Sequence, residues 1–243
     1  MPRFFMAGTN LMGGMAIMRG RDAEHVRVLR MRPGEELIIC DGEGTDYKCR
    51  LVSSDKEQAE AEVIEVVRCP AEPSVKVTVL CGLPKGDKTD YIIQKSVEAG
   101  AHEIMFFMSD RCVAKPDKPE KKLERWQRIA EEAAKQSGRG IIPQIGWAGD
   151  FTQVLDIAVK KDLALFMYET GEREAFDAVL NANANAATAA IITGPEGGFA
   201  KFEADLARAC GLHICSMGER ILRCETAPVV ALTATMYATG NLS

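Results

Sequence analysis

The sequence predicts an α/β protein: a β-rich first part, then a mostly parallel sheet covered by helices on both faces. Three observations carry this. From residue 75 onward, short apolar runs rich in β-branched residues alternate with runs of helical period. The first seventy residues instead show strand-like runs around a glycine turn. Between them PAEPS, residues 70–74, breaks both patterns and marks a boundary, giving domains 1–72 and 73–243.

Taken in order, RDAEHVRVLRM (21–31) reads as one short helix, with Val26, Leu29 and Met31 facing inward and Arg27 and Arg30 outward. EELIICDG and DYKCRLVSS lie either side of Gly42-Glu43-Gly44, a hairpin signal, and AEAEVIEVVRC is a further strand. In the second part VKVTVLCGL, EIMFFMS, IIPQIG, LALFMYE, ATAAIIT and LHICSMG read as strands. Between and after them DKTDYIIQKSVEAG, PEKKLERWQRIAEEAAKQSG, FTQVLDIAVKK, EREAFDAVLNA, FAKFEADLARACG and PVVALTATMYATG read as helices. Trp126, in the second of these helices, reads as a core residue.

Composition narrows the function classes. With 243 residues, 47% hydrophobic and 27% charged, the chain suits a soluble globular protein. MPRFFMAGTN lacks the apolar core of a signal peptide. No apolar run reaches the ~18 residues of a membrane span. None of the eight cysteines forms a CxxC pair, and most sit in apolar runs, so they read as reduced core thiols of a cytoplasmic protein. Cys210, His213, Cys215 and Cys224 fit no common zinc spacing, and no metal is expected. A net charge of −5 argues against a general nucleic-acid binder. Two segments stand apart: residues 19–32 carry five Arg against two acids, and residues 111–140 carry nine Lys or Arg against five acids. Together they suggest an anionic partner.

Two late segments carry the chemistry. TGPEGGFAKFE (193–203) is a glycine turn between a strand and a helix, where α/β proteins hold ligands. It lacks both GxGxxG and GK[ST], and Pro195 removes a backbone N–H that a phosphate cradle would use. MGERILRCETAP (217–228) also follows a strand and precedes a helix, with Thr226 placed to cap that helix and Pro228 in its first turn. Glu219, Arg220, Arg223 and Glu225 crowd into this second turn, which reads either as an ion-pair cluster or as a site shared with the glycine turn.

GPEGGF followed by MGERILRCETA resembles the signature pair of the bacterial 16S rRNA uridine-N3 methyltransferases, a group of the SPOUT superfamily. PRFF (2–5), HVRVLRMRPGE (25–35), PKGDKTDYIIQKSVEAGA (84–101), RWQRIAEEAAKQSGR (125–139) and MYE (167–169) extend the resemblance over nearly the whole chain. It implies a SPOUT-type parallel-sheet methyltransferase domain with a trefoil knot, which the usual topology rules would exclude. It also implies a preceding PUA-like β-barrel that helps bind RNA, S-adenosylmethionine as cofactor, ribosomal RNA of the small subunit as substrate, and a homodimer formed through the second domain. In the last helix Ala231, Ala234 and Ala238 are available for that contact.

Carried over by motif, the cofactor contacts are Gly194, Glu196, Gly197, Gly198, Met217, Ile221, Leu222 and Ala227. The glycines would let backbone groups approach the adenosine, and a β-branched residue at Gly197 would block that approach. Uridine N3–H is a weak acid that must lose its proton before nitrogen attacks the sulfonium methyl. Arg223 is the candidate to stabilise the uracil anion, and Glu225 and Glu196 are candidate bases. The RNA contacts expected are Arg3, Arg27, Arg30 and Arg32 in the first domain and Lys85, Lys88, Gln136 and Arg139 in the second. Two other readings stay open: a non-catalytic RNA-binding or ribosome-assembly protein, and a methyltransferase acting on another RNA. A nucleotide-dependent oxidoreductase or kinase is disfavoured by the missing phosphate motifs.

Overall fold

A computed structural model of the chain describes residues 1–6, 11–113 and 120–242. Lys115 and Lys118, part of the second basic segment, lie outside the described residues. The chain divides into two compact units, Met1–Glu72 with Ala134–Ile142, and Pro73–Ala133 with Pro143–Ser243. The break at 72/73 falls in PAEPS, but residues 134–142 pack with the first unit, which a single linear boundary does not provide for.

The first unit is a six-stranded mixed sheet in the order β1-β4-β5-β6-β3-β2. The strands are β1 (Arg3–Phe5), β2 (Leu11–Met12), β3 (Met15–Arg19), β4 (Glu36–Cys40), β5 (Thr45–Ser54) and β6 (Gln58–Arg68). Only β1 and β4 run parallel; the other pairs are antiparallel. The expected hairpin joins β4 to β5, and Asp41 Oδ1 closes its turn by accepting from the N–H groups of Glu43 and Thr45. Register shifts between β5 and β6 bend the sheet around a core that includes Phe4, Met18, Leu37 and Ile39.

Helix α1 (Arg21–Val28) covers this core with Ala23 and Val26. Leu29 was expected inside but is 44% exposed, because the helix ends before it. Met31 N–H donates to Val26 O and Arg30 N–H to Arg27 O, a Schellman closure with Met31 folded back toward the core. The position that glycine usually fills in that closure is Arg30, at φ 53°.

In the second unit seven strands form an all-parallel sheet, order β11-β13-β10-β12-β7-β8-β9. They are β7 (Lys76–Gly82), β8 (Glu103–Met108), β9 (Gln144–Asp150), β10 (Leu163–Met167), β11 (Glu174–Ala175), β12 (Thr188–Thr193) and β13 (His213–Ser216). The helices are α2 (Lys88–Glu98), α3 (Glu120–Ser137), α4 (Phe151–Ala158), α5 (Phe176–Ala182), α6 (Lys201–Ala209) and α7 (Ala227–Ala238). The apolar sides of α4 and α6 share one core with Leu80, Phe107, Phe166 and Ile192. Helix α7 packs on α2, α5, β7 and β12, and Trp126 of α3 packs on Phe106 with ring centroids 4.9 Å apart.

Two elements differ from the pattern reading. The strand expected over IIPQIG begins only at Gln144, because the Gly140 and Ile141 N–H groups are taken by Glu72 within the first unit. The helix expected from Glu172 starts at Phe176, since Glu174 and Ala175 first pair with β13. Thr226 precedes α7 as expected, with Pro228 in the first turn, but its side chain makes no capping bond.

Candidate active site

Strand order decides where the two late motifs meet. β12 and β13 flank β10 and all three are parallel, so the loops leaving them share the carboxyl edge of the sheet. A cavity of about 370 Å³ opens there. It is walled by three segments: 167–169 after β10, 193–199 after β12 and 215–227 at the end of β13 and beyond. Its volume lies within the range of small-molecule sites, roughly 300–1,000 Å³.

The glycine turn is held from several sides. Gly198 N–H donates to Pro195 O at 2.9 Å. Phe199 is buried and packs on Phe166 of β10, ring centroids 4.3 Å apart. Glu203, also buried, accepts from Ala200 N–H at 2.8 Å and from Asp110 N–H at 3.1 Å, which fixes the start of α6. Gly82 lets the turn approach β7, since a Cβ there would lie 2.5 Å from Pro195 Cδ.

The structure separates the roles of two glycines. Gly198 has φ +63° and lines the cavity, and a Cβ on it would fall 2.9 Å from Glu169 Oε1. Gly197, expected to contact the cofactor, is not among the residues lining the cavity: its close neighbour is Arg111, with Arg111 Cβ and O 3.0 and 3.1 Å from an ideal Cβ. The other carried-over positions, Gly194, Glu196, Met217, Ile221, Leu222 and Ala227, all line the cavity. Glu169 was missed as a site residue, although MYE ends a strand in the sequence at the position where α/β folds place ligand-binding acids.

Charges in the wall are unequally paired. Lys88 Nζ lies 2.9 Å from Glu196 Oε1 and 3.5 Å from Glu225 Oε2. The Cys224 thiol donates to Glu225 at 3.3 Å and is itself pushed up to about 12, first by burial and then by that carboxylate. Burial pushes Glu196 upward, but the Lys88 ammonium and the Lys85 N–H outweigh it and hold the carboxylate below its ordinary range. Glu225 is likewise lowered: its own backbone N–H, the Cys224 thiol and Lys88 outweigh burial. Both candidate bases are therefore held ionised and already bonded to Lys88. Arg220 and Arg223 also line the cavity, and among the described residues no carboxylate pairs with either.

The expected RNA contacts divide sharply. Arg27, Arg30, Arg32, Lys85 and Gln136 are exposed. Lys88 points into the cavity wall instead. Arg3 is a correction: its guanidinium forks onto Asp46 at 2.7 and 2.9 Å and bonds Cys40 Sγ, with the side chain 11% exposed. Arg139 is a second correction, buried and paired with Glu72 at 2.8 Å. Neither guanidinium is available to a phosphate. The imagined zinc ligands are not assembled: Cys215 is buried in β13, Cys210 is exposed after α6, and Cys224 sits beside Lys88. Among the described residues no three His, Cys, Asp or Glu side chains are grouped to hold a metal ion. Nor, among those residues, is any helix long and apolar enough to cross a membrane.

An all-parallel α/β sheet with a mixed polar and apolar cavity at its carboxyl edge defines an enzyme of the kind that binds nucleoside cofactors. Comparison with known proteins sharpens this. Residues 71–236 match the family model described as RNA methyltransferase domain, and residues 19–64 match the RNA methyltransferase PUA domain. The Bacillus subtilis protein named ribosomal RNA small subunit methyltransferase E is 39% identical over 230 residues, 92% of this chain and 90% of that protein. Its Mycobacterium tuberculosis namesake is 32% identical over 94% of this chain and 88% of its own length. The crystal structure of a ribosomal RNA small subunit methyltransferase E from Neisseria gonorrhoeae, bound to S-adenosyl methionine, superposes with a TM-score of 0.86. It is 31% identical and covers 98% of this chain and 97% of its own. The chain belongs to the RNA methyltransferase family, with a PUA domain preceding the catalytic one.

Proposed function

We propose that the protein transfers the methyl group of S-adenosylmethionine to N3 of a uridine in small-subunit ribosomal RNA. The observation that carries this is Arg223, which pairs with no carboxylate among the described residues, in the wall of a cavity built from the three loops at the carboxyl edge. The names of the relatives support the substrate, and the ligand in the Neisseria gonorrhoeae structure supports the cofactor. The residues present suit that cofactor. Gly194 and Gly198 permit close backbone approach, Met167, Ile221 and Leu222 offer apolar surface for a purine, and the Glu169 carboxylate is an acceptor for hydroxyl or ammonium groups.

When bound, S-adenosylmethionine supplies an electrophilic methyl group on a sulfonium. The protein must then favour the deprotonated uracil. Its negative charge spreads over N3, O2 and O4, where the Arg223 guanidinium is the group placed to stabilise it. Glu196 and Glu225, bonded to Lys88, leave the proton to water. The test is methyl transfer from labelled S-adenosylmethionine to small-subunit RNA or particles, with the product nucleoside identified by mass spectrometry. We expect N3-methyluridine. Any other methylated nucleoside refutes the position, and no transfer with intact RNA binding favours the non-catalytic reading.

RNA binding is assigned to Arg27, Arg30, Arg32 and Gln136 in the first unit and to Lys85 in the second. Arg30 carries the clearest sign, because a non-glycine residue holds the left-handed position of a helix closure. Arg30→Gly should stabilise the fold by up to about 1 kcal/mol and yet weaken RNA binding, with the salt slope reduced by about one. Unchanged RNA affinity in Arg30→Gly would leave the arginine without this role. Such opposite signs cannot arise from general damage to the fold.

The C-terminal helix supports a homodimer. Val230, Ala234 and Tyr237 recur at helical spacing, and Val230 and Tyr237 are 39% and 76% exposed. Ala231, expected at the contact, is instead fully buried within its own unit. Sedimentation of the wild type should show a dimer at micromolar concentration, and Tyr237→Glu should shift it to monomer. A monomeric wild type counts against the dimer. The trefoil threading implied by the resemblance forms part of the same reading: after β13 the chain returns past β10 to lay α7 on β12 and β7. The absence of a spanning helix among the described residues and the ribosomal relatives support a cytoplasmic site of action.

A further inference from the structure

At the cavity one ammonium meets two carboxylates from two other elements, and the proposed reaction uses none of the three as acid or base. Lys88 opens α2, Glu196 lies in the turn after β12, and Glu225 lies in the loop after β13. Glu196 Oε1 accepts from Lys88 Nζ at 2.9 Å and from the Lys85 N–H at 3.0 Å. Glu225 Oε2 lies 3.5 Å from the same ammonium, and Cys224 Sγ 3.6 Å from it. Among the described residues the 194–198 turn and the 217–225 loop share no backbone hydrogen bond. The side-chain cluster at Lys88 is what joins them.

We propose that Lys88 is a positioning residue whose ammonium fastens both cofactor loops to α2 and so shapes the cavity before the cofactor enters. The inference rests on the methyltransferase reading above. It replaces the phosphate contact expected for this lysine from the sequence, since an ammonium facing two carboxylates is already neutralised. The side chains are 32% (Lys88), 28% (Glu196) and 20% (Glu225) exposed, half-buried enough to limit screening. The bond to Glu196 holds Lys88 above the usual lysine range, and both carboxylates stay ionised, so the clamp is charged throughout the neutral range. A clamp of this kind acts on cofactor binding and leaves the chemical step alone.

The experiment is calorimetric titration of S-adenosylhomocysteine into wild type, Lys88→Met, Lys88→Arg, Glu196→Gln and the Lys88→Met/Glu196→Gln pair. We expect Lys88→Met and Glu196→Gln each to weaken binding about fivefold to tenfold, as a small charge network would. The pair should be no weaker than the worse single change, because both remove one interaction. Lys88→Arg should stay within about threefold of wild type. Turnover of Lys88→Met should show a raised KM for cofactor with kcat at saturation within about threefold. Wild-type affinity in Lys88→Met, full additivity in the pair, or Lys88→Arg as weak as Lys88→Met overturns the clamp. So does a Lys88→Met variant that binds cofactor normally but loses about one unit of the salt slope for RNA, which assigns the lysine to a phosphate. A wild type that binds no S-adenosylhomocysteine would instead defeat the methyltransferase reading itself.

Discussion

Arg223→Ala should lower methyl-transfer turnover by about 10²- to 10³-fold, the loss expected when one donor aimed at developing charge is removed. Binding of S-adenosylhomocysteine should stay within about threefold, because the effect belongs to the transition state. The backbone of Arg223 is fixed where it matters: its carbonyl accepts from the N–H groups of Thr226 and Ala227 at 2.8 and 2.9 Å, at the start of α7. Among the described residues no carboxylate pairs with the side chain at the cavity wall, while the nearby Glu196 and Glu225 are occupied by Lys88. A guanidinium spends less on reorganisation when no carboxylate has to be released first. Arg223→Lys should recover part of the rate, since it restores the charge but not the planar fork. Turnover of Arg223→Ala within about fivefold of wild type would remove the residue from the chemistry.

How much of this was legible in the sequence depends on the range of the interaction involved. The glycine turn, its leading strand and its following helix are local, and TGPEGGFAKFE shows all three at the right places. That both late motifs share one edge also followed, since each leaves a parallel strand. Which glycine meets the cavity did not follow, because Gly197 is defined by Arg111, a residue 86 positions away that bonds its carbonyl. The charged residues misled for the same reason. Arg3 finds Asp46 at a separation of 43 and Arg139 finds Glu72 at 67, so two arginines that look solvated in the sequence are internally paired. Lys88 sits 108 residues from Glu196, and no periodicity announces that pair. Leu29 failed locally: it is the C-cap residue, just before the left-handed Arg30 turns the chain back, and the helix ends at Val28. β11 is only two residues long, too short to carry a two-residue alternation.

The largest stability effect should come from Glu72→Ala, at about 3–5 kcal/mol, the usual consequence of removing one partner from a buried ion pair. Glu72 is nearly saturated. Oε1 accepts from Arg139 Nε at 3.2 Å, from Gly140 N–H at 2.8 Å and from Ile141 N–H at 3.0 Å, and Oε2 accepts from Arg139 Nη2 at 2.8 Å. The two side chains are 6% and 3% exposed, so the alanine would take a buried carboxylate away from the guanidinium and from two backbone donors together. Gly140 shows how closely the segment is seated, since a Cβ there would lie 2.7 Å from Cys69 Cβ. Loss of Glu72 should therefore release residues 138–142 from the first unit. Amide exchange at Gly140 and Ile141 should accelerate by about 10²- to 10³-fold, while amides of β12 keep their protection. Replacing Glu72 and Arg139 together by methionine should lose less than Glu72→Ala alone, because both members of the buried pair are then removed. Exchange at Gly140 and Ile141 that accelerates less than about fivefold in Glu72→Ala would show that packing, and not this ion pair, seats the segment.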